Sequence, residues 1–228
     1  MEDNQKIAVL DHGFVRLVDH MGSDLSIVRA ARVSYDAEPR SDGSDDKLIS
    51  YLMKNAHTSP FEAVSFTFEV KAPIFILRQW HRHRTWSYNE VSARYTELPD
   101  DFYVPALENV TTQAASNKQM RTAEQHPDAA NFTHRLRGSA EECFRLYREA
   151  LEDGIPRELA RCFLPLNTYS RMFATVDLHN LFHFLRLRLH AHAQYEIRVY
   201  ADAILALIRD VVPVSVAAFE SNLKGATL

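Results

Sequence analysis

Apolar and polar residues alternate from Ala63 to Lys71, and this period of two predicts a strand with Val64, Phe66, Phe68 and Val70 on one face. The same alternation over residues 7–18, interrupted at His12-Gly13, predicts two short strands or one strand after a turn. Residues 168–177 form a further candidate strand. Elsewhere the spacing is helical. Ser23-Asp24 suits an N-cap for a helix with Leu25, Val28 and Ala31 on one face and with Arg29 and Arg32 solvated. Ser44 to Ala56 predicts a helix with Leu48, Tyr51 and Leu52 inward, stopped before Pro60. Pro73 suits the first turn of another, whose Ile74, Leu77 and Trp80 spacing runs on and puts Arg78 and Arg82 on one face, with Gln79 beside Arg82. Phe132 to Asp153 reads as a long helix with Leu136, Cys143, Phe144, Leu146, Tyr147 and Leu151 inward, and Arg157 to Leu164 as a short one between two prolines. A helix from Leu178 to Tyr195, capped by Asp177 or Asn180, precedes an apolar one from Val199 to Val211 that Pro213 ends. Residues 36–46 predict a mobile loop and 96–131 an irregular excursion.

A chain of 228 residues, 46% of them hydrophobic, can bury a full core as one domain. A net charge of -4 argues against holding nucleic acid by bulk charge, so any functional positive charge is local. Arginine outnumbers lysine 20 to 6, a ratio that either anion-binding forks or a genomic nucleotide bias produces. Cys143 and Cys162 have no metal or redox spacing and fall in helix-like apolar surroundings, which suits a reducing cytoplasm. The first residues lack a basic, then apolar leader, and no uncharged run approaches the roughly 20 residues a bilayer requires. The expectation is a cytoplasmic protein with no membrane partner.

The local charge is in Arg78 to Tyr95, which holds Arg78, Arg82, Arg84 and Arg94, two histidines, the single carboxylate Glu90 and four aromatics, without lysine or glycine. Guanidinium forks match phosphate oxygens, so the segment reads as an anion site with stacking surfaces, joined by Arg161 and Arg188 from elsewhere. His57, Thr58 and Ser59 crowd onto a helix-to-strand connection, where ligand contact and turn capping are both open. Two other chemistries compete. His179, His183 and His190 have the spacing to share a helix face and hold a metal, but the glutamate of a zinc hydrolase signature is missing, and the expectation is no metal. Arginine with aromatic side chains also suits RNA, against which the acidic balance speaks. Neither a dinucleotide glycine motif nor a phosphate loop occurs, so a bound dinucleotide rests on arginine forks and helix N-termini.

The spacing Arg82-His83-Arg84-x-x-Ser87-x-Asn89-Glu90-x-Ser92-x-Arg94-Tyr95 resembles the signature of the flavin-dependent thymidylate synthases. Leu25 to Ser34, His57 to Glu62, Val70 to Trp80, Pro156 to Asn167 and Leu185 to Arg198 are similar to further segments of that family. The resemblance implies an α+β fold, an antiparallel sheet packed with long helices in a single domain over residues 1–228. It implies a homotetramer with shared active sites, and conversion of dUMP to dTMP with FAD, NADPH and methylenetetrahydrofolate. By position, dUMP contacts fall on Gln79, Trp80, His81 and Arg82, on Glu90, Val91, Ser92, Ala93 and Arg94, and on Arg161 and Arg188. FAD contacts fall on His57, Ser59, Arg82, His83, Arg84 and Glu90. Where the family carries Asn-x-Arg, this chain has Asp177-Leu178-His179, and His183 replaces a further asparagine; all three positions join the FAD set, with Asp177 meeting the adenosine sugar or capping the helix. The residues themselves agree: neither cysteine stands in the electropositive, accessible setting that activates a thiol, and Arg188 is the candidate to stabilise negative charge on the uracil ring. Ser92, with no base at a fixed short spacing, reads as a substrate hydrogen-bond donor. The reading from another class is a non-catalytic nucleotide-binding regulator.

Overall fold

A computed structural model of the chain describes residues 6–36, 38–40, 43–115 and 117–225. The expected strand is β3, Ser65–Pro73, and it is the centre of the molecule. Its neighbours are β2, Gly13–Met21, and β7, Tyr169–Asp177, in a five-stranded antiparallel sheet of order β1-β2-β3-β7-β4, with β1 at Lys6–Val9 and β4 at Ser87–Glu90. Val64, Phe66, Phe68 and Val70 are fully buried, as the alternation requires of a strand whose one face is the core. Six helices supply the other side of that core: α1 (Asp24–Arg32), α2 (Ser44–Lys54), α3 (Ile74–Trp80), α6 (Leu178–Arg188), α7 (Tyr195–Ile208) and α8 (Pro213–Gly225). A satellite core of Phe144, Tyr147, Ala150 and Ala160 lies under α4 (Ala129–Glu152) and α5 (Arg157–Ala160). This is the expected α+β arrangement.

The differences have local causes. Leu25 and Tyr51 are exposed while Ile27 and Ile49 turn inward, because α1 packs on the 3₁₀ turn Ser59–Ala63 and α2 on α8, and the two helices on each other. Arg32 is not solvated: its Nε donates to Asp45 Oδ1 at 3.0 Å, joining α1 to α2. Of the expected loop 36–46, residues 37, 41 and 42 lie outside the described residues, and Ser44 already begins α2. The helix after Pro73, α3, stops at Trp80, so Arg78 and Arg82 do not share a helical face. Tyr88 Oη donates towards the Trp80 and His83 carbonyls at 3.1 and 2.9 Å, which holds the chain in turns leading to β4, a strand the sequence did not signal. The excursion 96–131 contains a hairpin, β5 (Thr111–Gln113) with β6 (Arg121–Gln125). The helix expected to reach Tyr195 ends at Arg188. His190 Nδ1 accepts the His192 N–H at 3.2 Å, a side chain competing with the helical ladder, and α7 starts afresh at Tyr195. Pro213 begins α8 instead of ending the fold, since a proline is tolerated in a first turn. Asp24 caps that turn by accepting the Val214 and Ser215 N–H groups at 2.9 and 3.1 Å.

Candidate functional site

β3 runs directly into α3, and β7 runs directly into α6 through Asp177. Because β3 and β7 are antiparallel, with Ser65 opposite Asp177 and Pro73 opposite Tyr169, these helices start from opposite ends of the sheet. They run towards one another over the same face, and the stacking of Trp80 on Phe184, centroids 4.9 Å apart, fixes where they meet. The last turn of α6 therefore delivers Arg188 to the end of α3.

There Arg188 Nε donates to His83 Nε2 at 3.0 Å, and its Nη2 lies 3.5 Å from the Gln79 carbonyl, which also accepts the Arg82 N–H at 3.3 Å. An imidazole accepts at a ring nitrogen only when neutral. Burial, then the positive charges of Arg188 and His183, push the His83 pKa down to about 4. Burial also lowers the Arg188 pKa. The guanidinium is thus held through one edge by a neutral ring.

His183 continues the surface, its ring 6.0 Å from that of His83. With His179, Thr58, Ala56, Met53, Phe61, Phe182 and Arg186 it lines a cleft of about 170 Å³ between the end of α2 and α6. His57, exposed, rests its ring edge on Tyr51, and exposed Ser59 opens the 3₁₀ turn Ser59–Ala63 that carries the cleft's apolar floor. Of the expected FAD positions, His179 and His183 line this cleft, with His57 and Ser59 flanking its Thr58 in sequence, and His183 adjoins the buried His83, which holds Arg188 beside the Gln79 carbonyl. Asp177 is spent on capping α6: both carboxylate oxygens accept from Asn180, at 2.9 Å from its N–H and 2.6 Å from Nδ2.

The expected dUMP positions do not all gather there. Arg94 Nη2 lies 3.8 Å from Glu158, whose carbonyl accepts from Arg161 Nε at 3.3 Å, so Arg94 and Arg161 form a second group. Among the described residues no hydrogen bond or ion pair links it to Arg188. Ser92 Oγ accepts the Arg94 N–H at 3.3 Å and keeps its own hydrogen to donate. Arg78, Arg82 and Arg84 are exposed, with no carboxylate among the described residues within ion-pair distance. Trp80 and Trp86 are buried beneath, their Nε1 atoms without partners among the described residues, as is His81 Nε2, which stands 4.0 Å from Glu90 and is too far for a hydrogen bond. Val91 hydrogen-bonds the Arg171 carbonyl at 2.8 Å, and Ala93 is buried. Polar atoms orphaned at the base of an arginine-rich loop fit a site that a polar ligand completes.

Two readings of the spacing are corrected. His190 lies beyond α6, so His179, His183 and His190 do not share one helix face; no group of three or more metal-ligating side chains occurs among the described residues. Cys162 is exposed next to Arg161 instead of packed in apolar surroundings. A larger cleft, about 1060 Å³, lies between α4, the hairpin and Phe75, and none of the expected site residues lines it; its size is outweighed by the concentration of anion-binding chemistry elsewhere. Sequence reasoning missed Gln194 and Glu196, because it ran one helix through the break that presents them. No helix among the described residues is long and apolar enough to cross a membrane.

The model of a protein family described as thymidylate synthase complementing protein matches residues 16–214. The chain is 49% identical over 223 residues to a flavin-dependent thymidylate synthase of Treponema denticola, covering 97% of this chain and 84% of that protein. It is 51% identical to one of Thermus thermophilus, covering 98% and 81%. In structure it is similar to the UMP/dUMP methylase PolB of Streptomyces cacaoi bound with 5-Br dUMP, with TM-score 0.86, 38% identity, and coverage of 94% of this chain and 97% of that one.

Proposed function

The chain belongs to the family of flavin-dependent thymidylate synthases, and from that premise we propose that it methylates dUMP to dTMP with FAD as cofactor, methylenetetrahydrofolate as carbon donor and NADPH as reductant. In the balanced reaction the uracil C5 hydrogen leaves as a proton, a methyl group takes its place, and the folate is released as tetrahydrofolate. The carbon comes from the folate methylene, and the two electrons that take it to methyl come as hydride from NADPH. The observation that carries this reading is that His183, which lines the cleft with His179, adjoins His83, and His83 holds Arg188.

Arg188 meets the pyrimidine and stabilises negative charge that develops on the ring, an interaction strengthened where burial excludes water. His83, neutral, keeps the guanidinium from swinging away. Gln79 and Ser92 orient the nucleotide by hydrogen bonds, and the forks of Arg82, Arg94 and Arg161 take its phosphate. Aromatic and apolar side chains of the cleft, with His57, Ser59, His179 and His183, receive the flavin, and Arg84 its phosphates. When bound, FAD supplies hydride chemistry that removes the need for a thiol adding at C6. Cys143 is half-buried on α4, and Cys162 stands with Arg161, outside the group around Arg188.

A cleft of about 170 Å³ is smaller than the 300 Å³ or so at which cofactor pockets begin, and the phosphate-binding arginines fall into two unlinked groups. Both facts support active sites completed by neighbouring subunits of a homotetramer. We place the enzyme in the cytoplasm, acting on small molecules without a nucleic-acid or membrane partner. Purified protein should be yellow and should oxidise NADPH faster when dUMP is added; colourless protein that releases no flavin on denaturation defeats the proposal.

A further inference from the structure

Hydrogen bonds lead from Gln79 to a buried carboxylate that the proposed reaction does not use. Glu196, in the first turn of α7, is 3% exposed. Its Oε1 accepts from Tyr103 Oη at 3.2 Å and from Arg121 Nη2 at 3.1 Å, and its Oε2 accepts from Gln194 Nε2 at 2.8 Å. Gln194 Oε1 in turn accepts from Gln79 Nε2. Arg121 opens β6 and its second prong donates to the Asn109 carbonyl at 2.9 Å, so the hairpin closes over the carboxylate. Burial and the charge of Glu196 raise the Tyr103 pKa above the usual tyrosine range, which keeps that hydroxyl a donor.

The direction of this chain is not arbitrary. An ionised carboxylate only accepts, so Gln194 must turn its NH₂ towards Glu196 and its oxygen towards Gln79. Gln79 must then donate, which leaves Gln79 Oε1 as the prong that no protein donor among the described residues reaches. The same residue's main-chain carbonyl faces Arg188. A free primary amide presents either end to a ligand with little preference. This one is set by a charge two side chains away.

We propose that Glu196, locked by Arg121 and relayed by Gln194, is a positioning residue of the nucleotide site: it fixes which end of the Gln79 amide faces dUMP. The inference rests on the reading of Gln79 as a dUMP contact. Its cost is visible in the structure, since a buried carboxylate is tolerated only with the full set of donors found here.

Glu196→Gln keeps the shape but offers either hydrogen-bonding end, and Gln194→Ala, at an exposed position, cuts the relay without touching the core. Each should weaken dUMP binding to the flavin-loaded enzyme by about ten-fold, with flavin content and melting temperature little changed. Arg121→Ala should weaken dUMP binding as well, but with a fall in melting temperature because it leaves the buried carboxylate without its cation, and Arg121→Lys should recover part of both losses. In a Gln79→Ala background Glu196→Gln should have no further effect. Binding by Glu196→Gln and Gln194→Ala within two-fold of the parent, or an equal loss with and without Gln79, overturns the proposal. Wild-type protein that binds no dUMP defeats the functional reading instead. The relay is then judged by hydrogen exchange over residues 78–84 in ligand-free protein, where faster exchange in Gln194→Ala supports it and unchanged exchange ends it.

Discussion

Arg188 and His83 define each other. The guanidinium needs an acceptor that carries no positive charge, and the ring is kept neutral by the burial that the guanidinium shares. Arg188→Ala should lower dTMP formation by about a hundred-fold to a thousand-fold while FAD stays bound, as read by turnover and by the flavin spectrum. An equal loss of both would remove its role at the pyrimidine. For His83, the ordinary pKa of 6.5 falls to about 4 on folding. Between those values the unfolded chain binds a proton that the folded chain does not, so this group costs stability as pH falls from about 6.5 to 4 and leaves it unchanged above 6.5. Melting temperatures taken across that window should drop more steeply for wild type than for His83→Gln; parallel curves would mean that His83 already carries a proton. Neither relation was legible in the sequence, where His83 and Arg188 are separated by more than a hundred positions. The candidacy of His83 was legible from an arginine-rich segment without lysine, and that of Arg188 from the family resemblance.

Among elements, β7 and α6 show how a site residue is aimed. Asp177 ends the strand and caps the helix, so one side chain sets the direction in which Arg188 is carried. Asp177→Ala should cost about 1 kcal/mol, read as a fall of roughly 2–4 °C in melting temperature. If instead flavin is lost with the melting temperature unmoved, Asp177 serves the cofactor and not the cap. The sequence pattern found every long strand and left the cap between Asp177 and Asn180, which the structure gives to Asp177. It did not find the stops at Trp80 and Arg188, because both are imposed by side chains bonding to the main chain: Tyr88 at the first, His190 at the second. Both stops shape the site.

For the whole molecule, the separation of Arg94 and Arg161 from Arg188 is the consequential fact. If sites are completed across subunits, Arg188→Ala and Arg94→Ala, each inactive alone, should regain part of the activity when co-assembled, because some sites then receive both intact arginines. Absence of recovery in mixed oligomers of verified composition would require each subunit to hold a whole site. The cysteines belong to this scale too, lying on α4 and on the turn after α5: the double variant Cys143→Ala with Cys162→Ala should still form dTMP, and complete loss without unfolding would restore a thiol mechanism.

The sequence by itself determined the buried face of the central strand, because a period of two admits one inward set in a half-covered sheet, and it marked the arginine segment, because residue type alone decides which groups match phosphate. What the tertiary structure decided was partnership: that His83 accepts from Arg188, that His183 joins them to the cleft, and that Glu196 reaches Gln79. Those contacts arise because antiparallel neighbours send α3 and α6 from opposite ends of the sheet to one meeting point, a relation between distant segments that no local spacing encodes.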